Sequence, residues 1–440
     1  MWKISFLSVL IFIIYINIFP QVETNVKNDN GVRIDSIKVI GNKQTDSDII
    51  LRELTFKIGD KVDKKLLEYN RERIYTLGIF SSVELSVKKI RNENVLFIQV
   101  QESWYIYPLP FVTIKDRDWK KLSYGINVII KNFRGRNELL EASGSLGYDP
   151  SIYLSYYSPY LNWKHDIFFK GILSYSDVSN KSQIAEDRYG SPFSQRFLHL
   201  QLGVGKRFDY YNRAQTFLGF DYVSTPIYIP GLNASDGRID RVPFIGVDYN
   251  FDSRDLAQFP KAGFYGDINL TFRGMGFQGI NYRILSLDVR KYNRLFGEVY
   301  IKERLTTRFT YGKVIPYYDF SMLGYEERIR GFYTLVLEGN NYYLGSIESY
   351  APIVKDLNLN LDFVPLLPRE LLHYRFAIYG EMFLDTGGTK LRGQKLSLQN
   401  FKTGYGLGLT FLFLPYNSFR LEFAMGHNKP QWILDLGTSF

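Results

Sequence analysis

The 440-residue chain has no cysteine. That absence excludes disulfides, thiolate metal sites, cysteine nucleophiles and a lipidated N-terminal cysteine together. Beyond residue 20 there is no unbroken apolar run of the length, about 20 residues, that a membrane-spanning helix needs. From Trp104 onward no segment keeps helical periodicity for three turns. His165, His199, His373 and His427 are far apart and in no metal-ligand spacing. There is no nucleophile elbow and no phosphate loop. Gly404-x-Gly406-x-Gly408 has the spacing of a nucleotide fingerprint, but no helix follows it. The net charge of +9 comes without a basic run, so a nucleic-acid partner is not expected and the charges read as solvated loops and lumen. No enzyme, cofactor or metal site is expected.

What the chain has in abundance is aromatic residues, 17% of the total with 34 Tyr and 34 Phe, at a mean hydropathy of only −0.17. A wall with one lipid face and one wet face, edged by aromatic girdles, has this composition. Lys3 followed by the apolar run Ile4 to Phe19 and the polar stretch Gln21 to Asn30 reads as a secretory signal peptide over 1–22, cut between Pro20 and Glu23, with a short linker over 23–32. An uncleaved anchor is the alternative.

Residues 33–103 read as a small α+β domain of order β-α-α-β-β. Ile37 and Val39 alternate into a strand that stops at Gly41-Asn42. Thr45 and Asp48 have capping-box spacing before Ile49, Ile50 and Leu54, in a helix expected to end at Gly59-Asp60. Asp63 caps a second helix carrying Leu67, Asn70, Ile74 and Leu77, which Gly78 ends. Val83, Leu85 and Val87, then Leu96, Ile98 and Val100, form the inner faces of two strands. With Ile37-Lys38-Val39-Ile40-Gly41-Asn42 and Leu77-Gly78-Ile79-Phe80-Ser81-Ser82-Val83, this segment resembles a POTRA domain, the polypeptide-transport-associated module of the periplasm.

Residues 104–440 read as a closed transmembrane β-barrel of about 16 antiparallel strands, because period-two alternation recurs over segments of about ten residues. Phe419, Leu421, Phe423 and Met425 alternate with Arg420, Glu422, Ala424 and Gly426. Tyr405 to Phe413 alternates with Gly404, Gly406, Gly408 and Thr410, and Phe376, Ile378, Met382 and Leu384 oppose Ala377, Tyr379, Glu381 and Asp385. A charge on the lipid face costs roughly 2–4 kcal/mol at mid-membrane, so the ionic parity is assigned to the lumen. The first strand is read as Trp104 to Ile114. Tight turns such as Tyr211-Asn212 are expected to alternate with long loops at Asn180–Gln195, Pro226–Arg241, Lys313–Asn341 and Lys355–Tyr374. Trp432, Leu434, Leu436 and Phe440 share the lipid face of the last strand, whose aromatic end resembles a bacterial outer-membrane sorting signal.

The loop between the eleventh and twelfth strands holds Arg330-Gly331-Phe332. Gly345-Ser346-Ile347-Glu348 and Ala351-Pro352 follow on the next strand, and Phe383-Leu384-Asp385-Thr386-Gly387 on the one after. Upstream, Asp252-Ser253-Arg254-Asp255 runs into Pro260-Lys261-Ala262-Gly263. This combination resembles the BamA/TamA superfamily of outer-membrane assembly and translocation proteins, over nearly the whole chain after the signal segment. The resemblance implies a sixteen-stranded barrel whose sixth extracellular loop folds into the lumen. It also implies that Arg330 anchors that loop on Glu348 and Asp385, with Gly331 turning the tip and Phe332 on the wall. The physical reading agrees, since a guanidinium fork suits carboxylates; a solvated Arg330 beside ordinary lumen charges is the alternative. Members usually carry several POTRA domains, two-partner translocases two and a plug helix that Gln21 to Gly31 cannot supply, and no patatin-like domain precedes this one. A minimal member with one POTRA domain is therefore expected, in the outer membrane, handling unfolded outer-membrane or secreted polypeptide clients without nucleotide. Which accessory proteins it docks is left open. A passive pore or structural barrel that kept the fold is the alternative function.

Overall fold

The computed structural model describes residues 31–114, 119–364, 368–415, 417–426 and 430–436. The expected signal segment, the linker up to residue 30 and Phe440 lie outside them.

The N-terminal domain is a three-stranded sheet with two helices: β1 (Ser36–Ile40), α1 (Ser47–Leu51), α2 (Lys64–Thr76), β2 (Phe80–Ile90) and β3 (Glu93–Glu102). β3 is central, parallel to β1 and antiparallel to β2. Leu67, Asn70 and Ile74 form the buried face of α2, packed over Val83, Leu85, Leu96, Ile98 and Val100. Asp63 caps α2 by accepting the Leu66 N–H at 2.7 Å. The first helix departs from the sequence reading at both ends. Its N-cap is Asp46, which makes no side-chain cap bond, and it stops at Leu51 rather than at Gly59-Asp60. The Thr45 hydroxyl is taken by tertiary partners instead: it donates to Glu102 at 2.7 Å and accepts from Asn132 of the barrel at 2.9 Å.

Sixteen antiparallel strands follow in consecutive order. They are β4 (Ile106–Ile114), β5 (Leu122–Phe133), β6 (Glu138–Gly147), β7 (Ser151–Asn162), β8 (Ile167–Ser179), β9 (Ser194–Arg207), β10 (Asn212–Ser224) and β11 (Ile239–Asp252). Then come β12 (Gly263–Arg273), β13 (Tyr282–Phe296), β14 (Val299–Gly312), β15 (Asn341–Asn360), β16 (His373–Lys390), β17 (Lys402–Leu414), β18 (Asn417–Met425) and β19 (Gln431–Leu436). β4 and β19 are the two ends of this sheet, and among the described residues no ladder joins them. The first strand begins at Ile106, two residues later than read from the sequence, and the Trp104 indole turns back to donate to the Ile106 carbonyl. Leu200, Val247, Leu305, Ile347, Met382 and Leu407 are exposed on the outer face, while Lys302, Glu348, Asp385, Thr410, Arg420 and Glu422 are buried inside.

The N-terminal domain packs on one rim of the barrel, here the near rim. Its core is continuous with Tyr160, Leu256, Phe259, Tyr350 and Tyr379 of the barrel. Polar clamps surround this contact: Arg375 of β16 to Glu72 of α2 at 2.6 Å, Arg207 to Glu53 at 2.6 Å, and Arg52 to Asp166 at 3.0 Å. Three long loops lie on the far rim, with a short helix α3 (Gln183–Tyr189) in the first of them. The fourth one expected, Lys355–Tyr374, is a correction. β15 and β16 run on to Asn360 and from His373, so the connection is shorter and lies on the near rim.

Burial pushes the Glu72 carboxyl up, but Arg375 and Arg71 outweigh it and hold the group below the usual range. A carboxyl lowered by folding contributes stability above its unfolded value, about 4.3 for glutamate, and loses it as the pH falls through the lowered value. Arg375→Ala leaves Glu72 with Arg71 alone and Asp356 with Lys261 at 3.6 Å, and should cost up to about 3 kcal/mol, the low end for breaking a buried pair. The expected readout at neutral pH is a lower midpoint for heat-induced loss of compact migration in detergent, together with earlier protease cleavage between the domain and the barrel. The difference from wild type should shrink as the pH is taken below 4. A wild-type midpoint for Arg375→Ala at pH 7 would contradict the clamp.

Candidate functional site

Register decides what meets inside the barrel. β14, β15 and β16 set Lys302 opposite Glu348 and Ser346 opposite Asp385, and β17 and β18 set Gly408 opposite Glu422. The wall from β14 to β18 therefore presents a patch of carboxylates to the lumen. The far-rim loop from 313 to 340 folds down onto that patch and delivers Arg330, itself only 7% exposed.

The Arg330 guanidinium is enclosed by three acidic side chains. Nε and Nη2 donate to the two oxygens of Asp385 at 2.7 and 2.8 Å, and the backbone N–H of Arg330 adds a third bond to it at 3.1 Å. Nη1 donates to Glu348 and Glu422, both at 3.0 Å. The guanidinium carbon lies 3.7 Å from the ring centre of Phe383. The carboxylates are shared outward. Glu348 also accepts from Lys302, Glu422 from Arg420 at 2.9 Å, and Arg420 reaches Asp435 of the last strand at 3.1 Å. Thus the structure brings together Arg330, Glu348 and Asp385. Sequence reasoning missed Glu422, Lys302, Arg420 and Asp435 as partners. The signal for Glu422 was present, since its lumen parity was read, but the cross-strand register was not.

Gly331 has φ +90°, and the backbone there lies against the wall so closely that a Cβ would stand 2.5 Å from the Met425 carbonyl oxygen. The wall answers with glycines of its own. A Cβ on Gly404 would fall 1.7 Å from the Arg330 carbonyl oxygen, and one on Gly426 2.3 Å from that of Gly331. Gly404 and Gly426 are thus the seat for the loop tip, while Gly406 and Gly408 of the same stripe face other wall atoms. Phe332 is half-buried against Leu323, Ile329, Tyr342 and Leu344. Beyond it the Tyr333 N–H donates to Gln431 of β19 at 3.0 Å. The flanks of the loop have separate holds, Glu327 to Arg304 at 2.6 Å and Glu338 to the first turn of α3.

The upstream motif forms a compact near-rim loop. Arg254 forks onto Asp252 at 2.9 and 2.8 Å. The Asp255 carboxylate accepts the N–H groups of Leu256, Lys261 and Ala262 at 2.9–3.3 Å, and the Pro260 carbonyl accepts the Tyr350 hydroxyl. Gly263 opens β12 directly against Ser253 and Arg254. Between these residues the Ala257 N–H donates to Thr76 of α2 at 3.1 Å, and Phe259 lies buried against Tyr350 and Tyr379. The Lys302 ammonium stands 5.1 Å from the Phe259 ring and 4.7 Å from that of Tyr350. One line of contacts therefore runs from α2 through Phe259 and Lys302 to Glu348 and Arg330. Of the terminal residues, Trp432 and Leu434 are exposed on the outer face, with Trp432 packed on Phe423 at 4.9 Å. Leu436 ends β19, and Phe440 is beyond the described residues.

A sixteen-stranded barrel with one POTRA domain, and a far-rim loop seated inside by an Arg-Gly-Phe tip, defines an outer-membrane barrel class. Residues 132–440 match the Omp85 superfamily domain, and residues 32–103 match the POTRA model described as surface antigen variable number repeat. The chain belongs to the Omp85 superfamily. The outer membrane protein assembly factor BamA of Nitratidesulfovibrio vulgaris is 35% identical over 92 residues, which is 20% of this chain and 12% of that protein. Two solved structures share the fold. BamA from Haemophilus ducreyi lacking POTRA domains 1-3 aligns with TM-score 0.53 at 16% identity, covering 96% of this chain and 88% of that one. CdiB from Escherichia coli aligns with TM-score 0.56 at 12% identity, covering 92% and 74%.

Two variants should free the tip by different routes. Arg330→Ala removes the cation and leaves three buried carboxylates, at about 3–5 kcal/mol, whereas Gly404→Ala keeps every charge and removes only the seat. Both should expose residues 329–336 to protease in intact membranes, with the flanks still held by Glu327 and Glu338. Arg330→Lys should rescue only partly, because an ammonium lacks the fork. Adding Glu348→Gln to Arg330→Ala should change little further, as for residues acting as one unit. Wild-type protection of the tip in Gly404→Ala would show that the glycine seat is not what receives it.

Proposed function

We propose that this chain is a polypeptide assembly or translocation factor of the bacterial outer membrane, with the POTRA domain in the periplasm. Unfolded outer-membrane or secreted polypeptides are its clients. The near rim is then periplasmic and the Arg330 loop extracellular. The POTRA domain would offer a sheet edge, β1 or β2, to an incoming strand by β-augmentation, and the client would pass to the barrel seam between β4 and β19. Each strand that a client buries in lipid satisfies its own backbone and removes its own apolar face from water, so no nucleotide is needed. The reaction makes and breaks no covalent bond, and the chain acts as a catalyst of insertion without being an enzyme.

The observation that carries this reading is where the loop tip sits. Arg330 bonds Glu422 on β18, Arg420 of the same strand bonds Asp435 on β19, and Tyr333 bonds Gln431 on β19. The lumen network thus braces β18 and β19, at one of the sheet's two ends. A passive pore calls for an open lumen and gains nothing from a loop fixed beside the last strand.

The test is reconstitution of the full chain in liposomes with an urea-unfolded barrel client, scored by the client's heat-modifiable, protease-resistant form. Insertion should be at least several-fold faster than in protein-free liposomes, and slower with Arg330→Ala. Client-independent solute release with no gain in insertion would favour the passive pore.

A further inference from the structure

Five prolines lie within the described barrel strands, and three of them sit where no ladder donor is due. Pro159 lies in the irregular stretch where β7 and β8 shift register. Pro243 precedes the first pair of the β11–β12 ladder, with its carbonyl taken by the Gly274 N–H at 2.7 Å. Pro352 flanks a bulge and lies beyond the last β14–β15 pair. Pro108 and Pro110 are different. They stand in the middle of β4, where the ladder to β5 runs unbroken from Ile106 opposite Ile130 to Ile114 opposite Leu122.

Strand parity says which way their missing donors would point. Just before β4 the Tyr105 carbonyl accepts the Lys131 N–H at 2.8 Å, so Tyr105 faces β5. Backbone groups of successive strand residues alternate between the two neighbours. Tyr107, Leu109, Phe111 and Thr113 therefore exchange bonds with β5, and Ile106, Pro108, Pro110 and Val112 turn theirs to the other edge. The Ile106 carbonyl agrees, since it is met by the Trp104 indole and not by β5. That other edge is the seam facing β19. A proline is tolerated in a strand where its absent N–H lies on an unpaired edge, and prolines on an edge discourage pairing. Here two consecutive seam-facing positions lack donors while their carbonyls remain.

We propose that Pro108 and Pro110 are a built-in block on closure of the barrel. They keep β4 from zipping onto β19 and leave its seam edge as a row of acceptors open to the N–H groups of an extended client strand. This rests on the seam reading in the proposed function and adds what keeps the seam available and the docked strand releasable. A client paired here receives no donor from Pro108 or Pro110, so its hold is weaker than a full ladder.

Hydrogen exchange on the full-length protein in nanodiscs tests it, using Pro108→Val, Pro110→Val and the double variant. Both positions are exposed, with the outward-facing Ile106 and Val112 on the same parity, so valine suits the site. The reference is β17, laddered on both sides. In the wild type, the amides of 104–114 and 431–436 should exchange at least about ten-fold faster than those of β17. The double variant should slow both by about ten-fold, the effect expected of two restored bonds, and each single variant by less. Client insertion should fall in step. If the double variant does not reach the heat-modifiable fold, the single variants carry the test. Seam peptides as protected as β17 in the wild type, or unchanged exchange in folded variants, would overturn the proposal. The exchange readout involves no client, so a wild type that inserts no client sinks the assembly role and leaves the proline reading to be decided by exchange alone.

Discussion

A guanidinium enclosed by three carboxylates inside the barrel is the constraint on which the rest of this structure turns. Removing one ion from water costs several kcal/mol, and attraction offsets that only where geometry and extra hydrogen bonds are both good. Arg330 meets both conditions, with a fork and a backbone N–H on Asp385 and one nitrogen divided between Glu348 and Glu422. That geometry is reachable only if the loop backbone lies flush on the wall. The glycines at 331, 404 and 426 are the steric counterpart of the ion cluster: the charges draw the tip in, and the missing side chains let it arrive.

The same cluster joins parts of the chain that are remote in sequence. Lys302 is shared between Glu348 and the aromatic pair Phe259 and Tyr350, and the loop carrying Phe259 is bonded to α2 of the POTRA domain. At the near rim the domain core and the barrel base are one apolar cluster ringed by ion pairs. The near rim and the β14–β19 wall are thus braced together, while the edge of β4, unpaired among the described residues, carries two prolines in place of donors. An assembly device of the proposed kind needs this asymmetry, a rigid body with one edge left unsatisfied.

Much of this was legible in the sequence, for identifiable reasons. Period-two alternation is forced by a wall between lipid and water, so the strands around Arg420, Gly406 and Asp385 could be read residue by residue. Asp63 capped α2 because its partner, Leu66, is local. The failures are tertiary. Thr45 was drawn from a helix cap by Glu102 and Asn132, and the first helix shortened accordingly. The connection expected over 355–374 was too long, because two strands run on past their bulges toward the near rim. Lys302, Glu422 and Asp435 carry the right parity, but nothing within one strand states the register that sets them around Arg330. The docking of residues 253–262 on α2 was invisible because its partner lies about 180 residues away.

The central claim, that Arg330 fixes the loop tip beside the last strand, can be read directly in a chain that has no cysteine of its own. The Tyr333 N–H donates to the Gln431 side chain at 3.0 Å, so a Tyr333→Cys, Gln431→Cys pair should be bridged in intact membranes by a short bis-maleimide crosslinker, which spans more than the distance a direct disulfide demands. The account predicts a high yield with Arg330 in place and its loss when Arg330→Ala is added. An equal yield in both backgrounds would contradict it.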